Sequence, residues 1–184
     1  MVTNVTSTRE RALDAAVLMV ATEGLRSLTH AKVDERAGIP KGSTSNYFRT
    51  RAALLAGVVE WIVERELSQV GTAIPVASAS DLVDAMCGLF RYVTEHNRTV
   101  TAARLTLFME ASHNPALRDA VSRGRTAMES SMIAALEQLG ATDPTTSAAT
   151  LMACAEGLIL HRIVRHDDSD PRPVFDLVVR AALS

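Results

Sequence analysis

A short polar run interrupts an otherwise apolar chain near its beginning. Residues 38–48 read GIPKGSTSNYF, and a dense group of ammonium, hydroxyl and amide side chains lies there before Tyr47 and Phe48. Such side chains hydrogen-bond to phosphate oxygens and to the edges of bases, whereas they are poorly suited to a hydrophobic core. The run therefore predicts contacts to DNA. A loop or a helix cap is the alternative interpretation of the same residue types.

Short helices are expected to position this run. Apolar residues at helical spacing predict a first helix that is capped by Thr8 and ended by Gly24. Thr29 is placed to cap a second helix that ends before Gly38, and a third helix begins near Lys41. Two short helices joined by a tight glycine turn form a helix-turn-helix unit, whose second helix lies in the major groove of DNA.

The rest of the chain is also predicted to be helical, because aromatic residues are only 4% of the sequence and no polar/apolar alternation is sustained. A linker with Gly71 and Pro75 is expected over residues 71–80. The fold class is therefore all-α, with about nine helices in total. The later helices are predicted at residues 51–70, 80–96, 98–112, 115–139, 145–166 and 173–183.

Charge is distributed unevenly along the chain. Residues 1–51 contain eight basic and five acidic side chains, a net charge of +3, and the remainder has a net charge of −5. A basic first segment favours contact with a polyanion. The sequence begins without a signal-peptide pattern, and no stretch of about 18 consecutive apolar residues is found. A cytoplasmic protein without a membrane span is therefore expected.

The run LTHAKVDERAGIPKGSTSNYFRTRAALL, residues 28–55, resembles the signature of the TetR/AcrR family of transcriptional regulators. The match extends over residues 8–55, and the remaining two-thirds agree in helix number and length. The resemblance implies a DNA-binding domain at residues 1–50 and a ligand-binding and dimerisation domain at residues 51–184. It also implies a homodimer that binds a palindromic operator, commonly as a repressor, and is released by a small, largely apolar effector.

Site residues follow from the same resemblance. Phosphate contacts are implied for Ser43, the Tyr47 hydroxyl and Arg51. Base-edge contacts are implied for Lys41, Ser45 and Asn46, with close backbone approach at Gly42. The predicted DNA-binding residues are Lys41, Gly42, Ser43, Thr44, Ser45, Asn46, Tyr47 and Arg51.

The chain departs from the family pattern at five positions. Ser45 and Asn46 stand where two aromatic positions are usual, and Thr44 stands where the family usually has an aliphatic residue. His30 and Asp34 replace residues that are commonly aliphatic or small, so a different packing of the second helix is expected. The departures leave a second hypothesis open, in which the chain is a helical ligand-binding or protein-interaction module that has lost sequence-specific DNA binding.

The last two predicted helices are apolar on broad faces. The small residues Ala153 and Gly157 permit close approach of another helix, and the helix at residues 173–183 is apolar nearly all round. Burial on both sides is therefore expected, with the chain's own core on one side and a two-fold partner on the other. A purely intramolecular core is the alternative.

A ligand pocket is expected among the later helices, because methionine is flexible and polarizable and seven methionines are present. Core packing is the alternative role for each candidate. The candidate ligand-binding residues are Trp61, Met86, Phe90, Leu105, Met109, Met128 and Met132.

Catalytic chemistry is not predicted. Three histidines, at positions 113, 161 and 166, do not combine with Cys87 or Cys154 at a spacing typical of zinc ligands. A glycine-rich phosphate loop and a nucleophile elbow are also not recognisable. No catalytic residue, metal or cofactor is therefore expected. A helical hydrolase or a binding protein built on the same bundle is the remaining alternative.

Overall fold

The computed structural model describes residues 6–70 and 76–184, and within these residues the chain is helical and contains no strand. A 3₁₀ turn, Leu25–Ser27, and a π-helical turn, Tyr92–His96, accompany the α-helices. The all-α prediction is confirmed. The α-helices of the described residues are α1 (Thr8–Glu23), α2 (His30–Ala37), α3 (Ser43–Tyr47), α4 (Arg51–Val70), α5 (Ala79–Arg91), α6 (Arg98–Ala111), α7 (Pro115–Gln138), α8 (Pro144–Val164) and α9 (Arg172–Ala182).

The start of α1 differs by one residue from the prediction. Ser7, and not Thr8, is the N-cap, and its hydroxyl accepts a hydrogen bond from the backbone N–H of Glu10 at 3.2 Å. The Glu10 carboxylate in turn accepts from the Ser7 N–H at 2.7 Å, which completes a capping box. Glu10 three residues after Ser7 is the feature that selects Ser7 over its neighbour.

Two compact units are formed. The first unit contains the described residues up to Arg65 together with Ala102–Ser122, and the second contains the described part of Glu66–Thr101 together with Arg123–Ser184. These units are defined by contacts within the chain, whereas the boundary predicted after residue 50 separates DNA binding from ligand binding and dimerisation. That functional boundary stays a prediction. Residues 71–75 of the predicted linker lie outside the described residues.

In the first unit, α1, α2 and α3 pack on one another and bury the apolar stripe that the sequence indicated on α1. Leu13 and Val33 are completely buried. A polar contact joins α1 to α4, because the Trp61 indole N–H donates to Asp14 Oδ1 at 2.9 Å. Arg65 binds the same oxygen at 2.8 Å and lies over the Trp61 ring. The helices that carry the polar run are therefore held on a packed base.

In the second unit, α5, α8 and α9 form the core around two phenylalanines. The Phe90 and Phe175 rings meet edge to face with centroids 6.2 Å apart. The guanidinium of Arg162 covers the Phe90 ring at 5.1 Å and donates to the Ser169 carbonyl at 2.7 Å. Arg162 thus ties the loop after α8 to this core.

A π-helical turn ends α5 earlier than predicted. The Asn97 N–H donates to the Tyr92 carbonyl at 2.8 Å, a bond that spans five residues instead of four. The Val93 carbonyl is thereby freed from the usual helical pattern, and it accepts from the Thr101 hydroxyl at 2.6 Å. The sequence pattern predicted one continuous helix over residues 80–96, whereas α5 ends at Arg91 and the π-helical turn follows it.

Helix α8 is, within the described residues, long and apolar enough to cross a membrane by length and composition alone. The expectation that no stretch of about 18 consecutive apolar residues exists is not contradicted, because polar residues interrupt α8, whose mean hydropathy over its most apolar window is 1.3. Core helices of soluble proteins pass the same test. Only 22% of that window is buried within the chain, so α8 leaves much apolar surface uncovered.

Candidate nucleic-acid interface

Helix α3 is only five residues long and depends on its surroundings. Isolated helices of this length are not stable in water, because too few hydrogen bonds offset the cost of nucleation. Gly42 precedes the helix with φ 86°, a left-handed conformation that favours glycine. Phe48 closes it, with its N–H donating to the Thr44 carbonyl at 2.9 Å. Contacts with α1, α2 and α4 must therefore supply the stability of α3.

Phe48 anchors the C-terminal end of α3. Its side chain is 6% exposed, which confirms that it turns inward. The ring lies so close to Gly57 of α4 that a Cβ added there would stand 2.4 Å from the Phe48 Cε1 atom. On the other side, the Arg9 guanidinium lies 5.7 Å from the ring centroid. Helices α1 and α4 thus both contact the end of α3.

Asp34 holds the N-terminal end of α3. Its two carboxylate oxygens accept hydrogen bonds from the Gly42 N–H at 2.7 Å, the Thr44 N–H at 2.8 Å and the Thr44 hydroxyl at 2.6 Å. Burial acts to raise the pKa of Asp34, but these hydrogen bonds outweigh burial and hold the pKa below its usual range. The ionised carboxylate therefore takes the place of the side-chain cap that Gly42 does not have.

The turn between α2 and α3 is fixed by groups from α1 and α2. Arg11 donates from one guanidinium nitrogen to the carbonyl oxygens of Ala37 at 2.8 Å and Gly38 at 2.9 Å. Gly38 ends α2 in the left-handed conformation, and Thr29 caps its beginning, both as the sequence indicated. Polar groups of the turn are thus paired inside the protein.

The outer side of α3 presents a contiguous row of polar groups. Lys41, Ser45 and Asn46 are exposed, and Tyr47 is 50% exposed although it is aromatic. Ser43 is half-buried. The Ser45 hydroxyl donates to the Gly42 carbonyl at 2.8 Å, so this hydroxyl has only its acceptor lone pairs free toward a ligand. The structure therefore places these predicted residues together on one surface.

Thr44 is the exception in that row. Its side chain is completely buried, and both its hydroxyl and its backbone N–H donate to Asp34. The prediction that Thr44 contacts DNA is wrong, because the inward face of a five-residue helix must pack against α2. Thr44 belongs to the support of the surface.

Arg51 lies at the first residue of α4 and is exposed. One of its terminal nitrogens donates to the Leu25 carbonyl at 2.7 Å. This bond ties α4 to the 3₁₀ turn after α1 and leaves further guanidinium N–H groups for other partners. Its contact with a phosphate stays a prediction.

A shallow apolar cleft of about 10 Å³, with room for about one water molecule, lies in the first unit between α4, α6 and α7. It differs from the predicted pocket, since the three predicted residues of this unit are not among its walls. Trp61 is hydrogen-bonded to Asp14, Leu105 is half-buried and Met109 is 74% exposed. The walls are formed by Val59, Ile62, Val63, Arg104, Leu107, Phe108 and Val121.

The four other predicted pocket residues belong to the second unit. Met86, Phe90 and Met132 are at most 8% exposed and are part of its hydrophobic core, and Met128 is half-buried. Core packing, the alternative considered for each, describes the first three. No cluster of three or more metal-ligating side chains occurs within residues 6–70 and 76–184.

Three supporting residues were not predicted as part of the site, namely Arg11, His30 and Asp34. His30 and Asp34 did carry a signal, because both are polar where the family pattern is aliphatic or small. Arg11 carried none, since an arginine on an exposed helix face is ordinary and its two carbonyl partners lie 26 and 27 residues away.

Comparison with known proteins agrees with this architecture. Residues 77–184 match the family model of the tetracyclin repressor-like C-terminal domain. Similar solved structures include a transcriptional regulator from Rhodococcus sp. Rha1, which is 22% identical with a TM-score of 0.84 and 96% of each chain covered. Among curated proteins, no match is found.

Two further structures have the same fold. The multidrug binding protein EbrR complexed with ethidium is 22% identical, with a TM-score of 0.77 and coverage of 97% of this chain and 99% of that one. GusR of Salmonella enterica is 19% identical, with a TM-score of 0.78 and coverage of 96% and 95%. The family model spans more than half of the sequence. The chain therefore belongs to the TetR family of transcriptional regulators.

Proposed function

We propose that this protein is a ligand-responsive repressor that binds a palindromic DNA operator as a homodimer. The observation that carries the proposal is the exposed polar row on α3, supported from beneath by Asp34 and Phe48. A polar surface on a rigid short helix after a tight turn suits entry into the major groove. Lys41 and Asn46 can donate to base edges, and Ser43, Tyr47 and Arg51 are assigned to phosphate oxygens in this proposal.

The homodimer is supported by apolar surface on α8 and α9. Leu160 and Val164 of α8 are 44% and 61% exposed, and Leu177 of α9 is 63% exposed. On α8, Leu160 and Val164 continue a stripe through Ala153 and Gly157, and a Cβ added at Gly157 would meet nothing within 4 Å. An open stripe of small and apolar residues on two adjacent helices favours a four-helix interface with a second copy.

Dimerisation determines the form of the operator. Two copies of α3 related by a two-fold axis read two inverted half-sites, and half-sites on one face of DNA lie about 34–36 Å apart or a multiple of that distance. The target is therefore a palindrome. A bound effector that changes the spacing of the two copies of α3 weakens operator binding, and a coupling of about 1–3 kcal/mol is sufficient for a regulatory response.

Helix α4 is the proposed connection between effector and DNA. Arg51 begins the helix and Ile62 lines the apolar cleft, eleven residues or about 16 Å further along. The cleft walls are apolar apart from Arg104, whose guanidinium lies over the Phe108 ring at 5.4 Å. The binding of a small, largely apolar effector is supported by this lining and by the ethidium bound to EbrR.

The proposal is tested by selecting bound sequences from a random DNA pool at two salt concentrations. We expect an enriched palindrome at both concentrations, with a steep fall of affinity as salt rises, because each neutralised phosphate contributes about 0.9 to the logarithmic slope. Enrichment of no sequence would favour the alternative, a ligand-binding or protein-interaction module without an operator. The departures at Ser45 and Asn46 are the feature that keeps this alternative open.

Residue roles on α3 are separated by two substitutions in the same assay. Asn46→Ala is expected to change the preference among sequences, since an asparagine amide reads a base edge. Tyr47→Phe is expected to weaken binding to selected and random DNA by similar factors, because its hydroxyl is assigned to a phosphate. If Asn46→Ala lowers the affinity for selected DNA and for random DNA by the same factor, Asn46 does not read a base.

Intrinsic tryptophan fluorescence can report effector binding. Trp61 is the single tryptophan of the chain and lies on α4 next to Ile62 of the cleft. We expect ethidium, the first probe, to change Trp61 fluorescence in the absence of DNA and to lower affinity for the operator more than for random DNA, a comparison in which its own intercalation into DNA cancels. A fluorescence change without any loss of operator affinity would contradict the coupling through α4.

A protein that regulates transcription in this way acts where the DNA is, so the cytoplasm is its proposed location.

A further inference from the structure

Three of the residues that depart from the family pattern support the same short helix. Asp34 is 2% exposed, Thr44 is fully buried, and the Thr44 hydroxyl and N–H both donate to the Asp34 carboxylate. His30 lies one turn before Asp34 on α2, and its Nε2 atom is 2.6 Å from the Phe48 carbonyl oxygen. Because a carbonyl oxygen only accepts, this nitrogen carries a proton. Two side chains of α2 thus hold the two ends of α3.

We propose that Asp34, with Thr44 and His30, fixes the orientation in which α3 presents its polar row to DNA, so that Asp34 is a positioning residue for sequence readout. The inference rests on the proposed function of α3 as the DNA-reading helix. It assigns no DNA contact to Asp34 itself, since the carboxylate is buried and its oxygens already accept three hydrogen bonds.

The geometry explains why a carboxylate is needed at this place. The first N–H groups of a helix have no partner within the helix, and Gly42 at the N-cap has no side chain to accept them. Asp34 supplies the acceptors from eight and ten residues earlier in the chain. Hydrogen bonds to an ionised acceptor are short, strong and directional, so they fix the axis of α3 relative to α2.

An apolar pair at positions 34 and 44 would not impose the same constraint. Apolar side chains pack without a preferred direction, and a five-residue helix resting on them retains freedom to rotate. Base-edge hydrogen bonds are sensitive to such rotation, whereas contacts to the phosphate charge are much less so. The loss of Asp34 is therefore expected to damage discrimination between sequences more than general affinity for DNA.

The test compares four variants of the full chain on the selected operator and on random DNA. Asp34→Asn keeps the volume of the side chain but removes the charge and one acceptor. Thr44→Val removes only the hydroxyl, and Thr44→Ser restores it. Val20→Ala, in the core of α1, is the control for a loss of packing that leaves the α2–α3 hydrogen bonds unchanged.

We expect Asp34→Asn to lower operator affinity by about tenfold and random-DNA affinity by less than about twofold. Thr44→Val should lower operator affinity by about threefold, and Thr44→Ser should stay within about twofold of the wild type. Val20→Ala should leave the ratio of the two affinities unchanged. All measurements are made well below the unfolding temperature of each variant, so that folded protein is compared.

Each outcome decides the inference. If Asp34→Asn lowers the two affinities by the same factor, or changes their ratio no more than Val20→Ala, Asp34 is only a stabilising residue and the inference fails while the proposed function stands. If the wild type selects no sequence, the proposed function fails and this inference fails with it.

Amide hydrogen exchange gives a second measurement that needs no DNA. In the wild type, the Gly42 and Thr44 amide protons should exchange slowly, because both are donated to Asp34. Asp34→Asn should speed their exchange by at least about tenfold relative to Val20→Ala. Unchanged protection at both amides in Asp34→Asn would overturn the positioning role.

Discussion

The Asp34 carboxylate links protonation to the stability of the first unit. Burial acts to raise the pKa of this carboxyl, but the hydrogen bonds from Thr44 and Gly42 together outweigh burial and hold the pKa below its usual range. A carboxyl whose pKa is lower in the folded than in the unfolded state stabilises the fold above its unfolded pKa. That contribution is lost as the pH falls through the folded value.

Asp34→Asn should therefore be less stable than the wild type by about 2 kcal/mol at pH 7. The difference in unfolding free energy should begin to shrink below about pH 4, where the carboxyl of the unfolded chain takes up a proton, and should be lost as the pH falls through the lower pKa of the folded state. Urea unfolding of both proteins at pH 7 and at lower pH measures this difference. The other carboxyl groups are the same in both proteins, so their contributions to the pH dependence cancel. A gap that is independent of pH would mean that the charge of Asp34 contributes nothing to folding.

Gly57 is the residue that admits the Phe48 ring. An added Cβ would stand 2.4 Å from one ring atom and 3.0 Å from the next, so Gly57→Ala must displace the ring and the end of α3. We expect a loss of about 1–3 kcal/mol of stability, as for other overpacked cores, together with weaker operator binding.

Gly88→Ala is the matched control for Gly57→Ala, because Gly88 also lies within a helix and an added Cβ there meets nothing within 4 Å. It should be stabilising by about 0.5–1 kcal/mol, since alanine is the better helix former. Thermal unfolding of the two variants gives the comparison. Equal effects of both substitutions would show that Phe48 moves without cost.

At the scale of elements, local sequence patterns were sufficient for most of the fold. The ends of α2 were predictable because Thr29 and Gly38 are specific capping residues, and the long helices follow from apolar spacing. The π turn after α5 was not predictable, since it depends on a bond between the Val93 carbonyl and the Thr101 hydroxyl, eight residues apart. Such a contact has no signature in residue periodicity.

Thr101 provides the test of that turn. Thr101→Val keeps the shape of the side chain but leaves the buried Val93 carbonyl without its partner, which should cost about 1–3 kcal/mol. Thr101→Ser retains the hydroxyl and should recover most of the loss. Chemical denaturation of both variants distinguishes them. If valine and serine at position 101 cost the same, the hydroxyl does not stabilise the turn.

At the scale of the whole molecule, predictability differed between the two candidate sites. The polar row of α3 is contiguous in sequence, so a single motif identified its exposed members, and only the rotation of the helix decides that Thr44 points inward. The apolar cleft is assembled from three helices distant in sequence. If α4 were turned about its axis by the angle of one residue, Trp61 would replace Ile62 in the wall of the cleft. Composition does not fix the rotation of a helix about its axis.

The uncovered surface of α8 and α9 leads to the last prediction. Leu177 is 63% exposed, so Leu177→Asp should change the stability of a single chain little while placing a charge in the proposed interface. We expect a monomer in sedimentation experiments and a loss of operator affinity of about 100-fold, because a monomer reads only one half-site. Leu18→Asp, at a leucine of α1 that is 40% exposed, is the control and should remain dimeric. A Leu177→Asp protein that sediments as a dimer would place the two-fold interface on another surface, and the palindrome would then have to be explained by a different arrangement of the two copies of α3.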